Sequence, residues 1–146
     1  MTAADTSRLY TSDILGLALT LAQYPMAGRW SRTGQARSRS CGSIVEAGFD
    51  VGSHDVVQRV GIGATACAIG QAAAAIFATH AAGRTSGNIA MFHRDIDAWL
   101  RNDGPMPQWP DIAMLAPARA YAARHDAILL PWRAADAALS KIDVPR

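Results

Sequence analysis

Few side chains in this sequence could do chemistry, and their placement narrows what that chemistry is. There are two cysteines, Cys41 and Cys67, which stand 26 residues apart (67 − 41). Cys41 opens the small-residue stretch Cys41-Gly42-Ser43, and Cys67 stands before a run rich in alanine. A thiol at the start of a helix feels the positive end of the helix dipole, which favours thiolate, the form that binds metals or acts as a nucleophile. His125-Asp126 adds an imidazole and a carboxylate. Two thiols, one imidazole and one carboxylate at three loop-to-helix junctions would make a four-ligand site of the type that Zn²⁺ or an iron–sulfur cluster uses. Plainer roles stay open for each residue: a free cysteine also packs as a small hydrophobe, and Asp126 also suits a helix N-cap. His54, His80 and His93 fall on a turn, a helix end and a helix, and read as surface or internally bonded histidines.

Two other motifs do not carry a function. Gly61-Ile62-Gly63-Ala64-Thr65-Ala66 matches the dinucleotide fingerprint. That reading needs a following parallel strand ending in an acid, and here helical segments follow. A cysteine-nucleophile hydrolase needs a positioned histidine and an oxyanion hole, which nothing in the sequence singles out.

The elements that must position these residues can be read from periodicity and breakers. Ser12-Asp13 supplies N-cap chemistry for a helix over about 11–23, and leucines nearly all round it imply burial. Tyr24-Pro25 ends it. Residues 34–62 read as β, an antiparallel meander of three strands. Gln35, Arg37 and Arg39 mark an exposed strand, Gly52 to Asp55 a turn, and Val56 or Val57, Val60 and Ile62 face inward on the return. Helices follow, over about 64–79 with Gly83 closing it, then from Ser86 or Asn88 to Leu100. A loop over 102–110 leads to a short helix at 111–115, another turn or two to Arg124, and a last helix over about 127–140 with Pro131 in its first turns. The order predicts an α+β fold: an N-terminal helix, the three-stranded antiparallel meander, then C-terminal helices packed on one face of the sheet.

Length and composition bound the rest. A chain of 146 residues is about one domain, so 1–146 reads as a single unit with its core over about 12–140. Half of it is hydrophobic and 18% is charged, which excludes a disordered chain. No apolar run reaches the ~20 residues of a membrane helix, and the N-terminus does not read as a signal peptide. These features predict a cytoplasmic protein without a membrane partner. A net charge of +2 does not point to nucleic acid, and the mild cluster of Arg29, Arg32, Arg37 and Arg39 reads as solvated surface.

The cysteine segments carry a resemblance. Cys41-Gly42 with Cys67 opening Ala68-Ile69-Gly70-Gln71-Ala72 resembles the U-type iron–sulfur cluster scaffold family, which includes IscU, SufU and the N-terminal domain of NifU. Tyr24-Pro25 is similar to the family's Asn-Pro stretch. Arg124-His125-Asp126 followed by Leu130-Pro131-Trp132 looks like the third-cysteine segment, and the long insert at about 85–110 is similar to the SufU-like branch. Ser43 stands where the family has a ligand Asp, and Asp126 where it has its third Cys. The resemblance implies a scaffold, not an enzyme, that binds iron or a [2Fe–2S] cluster, accepts sulfur from a cysteine desulfurase and passes the cluster to apo iron–sulfur acceptor proteins. Its implied ligands are Cys41, Cys67, His125 and Asp126. A Zn²⁺-bound sulfur acceptor, or a metal-free interaction module that kept the fold, are the alternatives.

Overall fold

The structure is a computed structural model that describes residues 9–39 and 42–140, so Cys41 lies outside the described residues. Three strands form one sheet in the order β1 (Arg32–Arg37), β2 (Ile44–Val51) and β3 (Val57–Thr65), each antiparallel to the next. This is the meander that the sequence predicts. Val45, Ala47 and Phe49 of β2 and Val60 and Ile62 of β3 alternate onto one buried face. Val57 is buried as well, because the register slips between Asp50 and Val51 and resets the alternation.

The helices cover that face, as the α+β reading expects. In chain order they are α1 (Ser12–Thr20), α2 (Ala68–Ala81), α3 (Ser86–Leu100) and α4 (Ala122–Leu139). A 3-10 turn, Leu21–Gln23, continues α1, and a 3-10 helix, Ile112–Ala120, precedes α4. In α2, alanines 72–75 are buried on every side, so neighbouring elements approach closely all round it. Where α4 crosses β1, Gly34 leaves room for the backbone of Ala134 and Ala138, and any side chain there would overlap it.

Several boundaries differ from expectation, each for a local reason. β3 runs on to Thr65, because Ala64 and Thr65 find backbone partners in Val45 and Ile44; α2 therefore starts at Ala68 rather than Ala64. The cap of α3 is Thr85, whose hydroxyl accepts from the Asn88 N–H at 3.1 Å, not Ser86 or Asn88. The expected burial of the first helix is wrong: only Ile14 is buried in α1, while Leu15 and Leu19 are 49% and 79% exposed. Thr11, not Ser12-Asp13, caps it by accepting from the Ile14 N–H. α4 begins at Ala122 rather than 127, since the 3-10 helix before it feeds almost directly into helical backbone. Asp126 is thus inside the helix and is no N-cap. Pro131 sits at mid-helix rather than in the first turns.

The outer face of the sheet is covered by the segment after α1. Ile62 N–H donates to the Tyr24 carbonyl, and the Trp30 ring lies over the cross-strand pair Gly48 and Gly61. The glycines of the apparent dinucleotide motif are therefore packing positions: Gly61 makes room for Trp30, and Gly63 faces Met26.

Candidate functional site

The strand ends bring the connections together before any side chain is considered. Ile44, the first residue of β2, pairs with Arg37, the last of β1, and with Thr65, the last of β3. The β1–β2 connection and the β3–α2 connection therefore leave the sheet at the same end. Two helix contacts add α4 to that end. Gly70 of α2 lies beside Ala127 of α4, and seven residues on, the Phe77 ring is 5.4 Å from that of Trp132. Both pairs advance in the same direction, so α2 and α4 run parallel and their N-terminal turns lie together.

Cys67 is the N-cap residue of α2. It is half-buried against the core and its side chain makes no capping hydrogen bond. The helix-start placement inferred from sequence is therefore met. The β1–β2 connection, from which Cys41 comes, is closed at its base by the Ser38 N–H donating to the Ser43 carbonyl at 2.8 Å. Ser43 itself is buried.

Asp126 faces that connection. Its Oδ2 accepts from the Ser38 hydroxyl at 3.0 Å and from the Arg39 N–H at 2.9 Å, and its Oδ1 pairs with the Arg133 guanidinium at 2.5 Å. Burial pushes the carboxyl up. The Arg39 and Ser38 hydrogen bonds and the Arg133 charge outweigh that and hold it below the usual carboxylate value. Three of the roughly four lone-pair directions of the carboxylate are thus in use. His125 points elsewhere: its Nε2 donates to the Arg119 carbonyl at 2.8 Å, which leaves the lone pair on Nδ1. Neighbours on a helix diverge by about 100°, which is why consecutive residues serve the sheet edge and the 3-10 helix separately.

Among the described residues, no three His, Cys, Asp or Glu side chains gather into a group that could hold a metal. The structure brings the segments bearing Cys67 and Asp126 to one end of the molecule, but turns His125 and Asp126 toward other partners. Sequence reading passed over Ser38 and Arg133 and took Arg39 as exposed strand, whereas Arg39 lies beyond β1 and its N–H joins Ser38 and Arg133 in the contacts of Asp126. Arg133 is seven residues, or about two turns, after Asp126 on α4, so helical spacing was a usable signal. The Ser38 and Arg39 contacts span 88 and 87 residues and left none.

No family model matches the sequence, and no curated protein does. Solved structures do match. A nitrogen-fixing NifU-like protein (N-terminal part) from Brucella abortus superposes with a TM-score of 0.81 at 25% identity, over 90% of this chain and 92% of that one. An iron–sulfur cluster assembly scaffold protein for the SUF system from Fervidobacterium islandicum AW-1 gives 0.77 at 18% identity, over 91% of this chain and 98% of that one. In fold the chain is similar to these NifU-like and SUF-system scaffold structures, of the family that its cysteine segments resemble.

Proposed function

We propose that this protein is an iron–sulfur cluster assembly scaffold whose cargo, iron or a [2Fe–2S] cluster, is held by the thiolates of Cys41 and Cys67. One observation carries the reading. The β1–β2 connection that bears Cys41, the N-cap cysteine of α2 and the first turns of α4 all converge at one end of a fold shared with NifU-like and SUF scaffolds. His125 and Asp126 are the proposed further donors, and each would enter the donor set through the lone pair its present hydrogen bonds leave over. In this reading a cysteine desulfurase supplies the sulfur and apo iron–sulfur proteins receive the cluster. A Zn²⁺-bound sulfur acceptor is the second reading, favoured by the mixed donor types: tetrahedral Zn²⁺ accepts sulfur, nitrogen and oxygen together, whereas iron–sulfur clusters prefer thiolate.

The test is metal and sulfide content of the protein purified without oxygen, followed by reconstitution with Fe²⁺ and sulfide or with Zn²⁺. Wild type is expected to take up metal, with visible absorbance in the iron–sulfide case. Cys41→Ser and Cys67→Ser are each expected to lose at least tenfold in retention while keeping the melting temperature of the metal-free protein. A wild type that binds neither metal, with both serine variants unstable, would leave the cysteines as core packing and end the proposal.

A further inference from the structure

Asp126 stands where the resemblance puts the family's third Cys, and its carboxylate is already engaged. Ser38 and Arg39 precede Cys41 by three and two residues (41 − 38 and 41 − 39). Both donate to one oxygen of Asp126, and the other oxygen is held by Arg133, reaching back along α4. A cysteine at 126 could not accept these bonds with comparable strength, because a thiol is a weak acceptor. The substitution thus exchanges a soft ligand for a tether between α4 and the arm that leads to Cys41.

Resting on the scaffold reading, we infer that Asp126 and Arg133 are a positioning pair: they fix the Ser38–Arg39 arm against α4 and so set where the first cysteine is presented to its cargo. Arg133 neutralises the carboxylate and fixes its rotation, and Asp126 converts that into two hydrogen bonds on the arm, one charge-assisted to a backbone N–H. The pair acts through the arm, so Arg133 and Ser38 can be altered without removing any proposed donor.

Two readouts on the full chain test this. The first is amide hydrogen exchange of residues 38–43 in metal-free protein. The second is Zn²⁺ affinity, by competition with a chromophoric chelator. Arg133→Met and Ser38→Ala are expected to speed exchange of the Arg39 amide about tenfold and to weaken Zn²⁺ binding by about 10- to 100-fold, the usual effect of losing an outer partner of a site. Arg133→Lys, which keeps the charge, is expected to stay within about threefold of wild type in both. Thermal melting shows that the variants are folded. Exchange at residues 38–43 unchanged in Arg133→Met would overturn the inference. So would a loss in Arg133→Lys as large as in Arg133→Met, since the charge pair would then not be what acts. If wild type and Cys67→Ser bind Zn²⁺ equally, the scaffold site is what fails, and the exchange data on metal-free protein still decide whether the pair holds the arm.

Discussion

Trp30 lies flat on the outer face of the sheet because two glycines face each other across β2 and β3. A methyl group at Gly48 or Gly61 would overlap the ring itself rather than the end of a flexible chain. We therefore expect Gly61→Ala to cost about 1–3 kcal/mol, the range for overpacking, and to raise iodide quenching of tryptophan fluorescence as Trp30 lifts. Gly63→Ala is the control. Its nearest neighbour, Met26 Cβ, is 3.8 Å away, so its stability should stay within about 0.5 kcal/mol of wild type. The other side of the ring is held by Arg59, 4.0 Å above it, which also pairs with Asp50 at 2.7 Å. The Arg59 hydrogen bond is the main reason that the Asp50 carboxyl lies below its usual value, with the Ser31 N–H assisting and slight burial opposing. A depressed carboxyl stabilises the fold above its unfolded value, about 3.9, and that contribution disappears as pH falls through the lower folded value. Asp50→Asn should therefore narrow the difference in melting temperature between pH 6 and pH 3. The change should be small, since the pair is solvent-exposed and screened.

At the scale of elements, local chemistry decides where helices start, and packing decides how much of them is buried. Thr85 caps α3 with one hydrogen bond to the Asn88 N–H. Thr85→Ala is expected to lose about 1 kcal/mol, and Thr85→Ser to restore most of it, measured by urea unfolding. α1 carries leucines on most of its sides, yet it touches the molecule chiefly along α2 and buries only Ile14. Leu19→Lys should then change stability by no more than about 0.5 kcal/mol, whereas Ile14→Ala, which opens a cavity, should cost about 2–5 kcal/mol. Equal costs for the two would mean that Leu19 is covered in solution.

Across the whole molecule, the elements meet in an aromatic cluster. Phe77 of α2 stacks on Trp109 at 5.5 Å and meets Phe49 of β2 and Trp132 of α4 edge-on at 6.1 and 5.4 Å. Trp109, which comes from the loop before the 3-10 helix, also donates its indole N–H to the Ile76 carbonyl. Sheet, central helix, last helix and loop therefore share one contact set. Phe77→Ala is expected to cost about 3–5 kcal/mol, a large part of the ~5–15 kcal/mol of a typical domain. Calorimetry should show it as a lower melting temperature in a single transition. Two transitions would mean that the helices and the sheet unfold separately.

What the sequence determined by itself is what short-range periodicity encodes. β-branched and aromatic content over residues 43–51, with Val60 and Ile62 facing inward on the return, specifies paired strands, Tyr24-Pro25 and Gly83 specify helix ends, and Cys67 before an alanine-rich run specifies a thiol at a helix start. These signals lie within a few residues of what they control, so the α+β order was legible. The start of α4 was not, because no capping side chain marks it and the preceding 3-10 helix continues into it. Nor was the exposure of Leu15 and Leu19, since a leucine pattern states what could be buried and only the neighbours state what is. The directions of His125 and Asp126 were the most consequential of these. Their types suggested ligands, but a helix turns adjacent residues apart, and their partners at Arg119, Ser38, Arg39 and Arg133 are chosen by how α4 packs against β1 and the 3-10 helix. The Ser38 and Arg39 contacts close across 88 and 87 residues and leave no local pattern, so tertiary packing alone decided that Asp126 faces the β1–β2 connection.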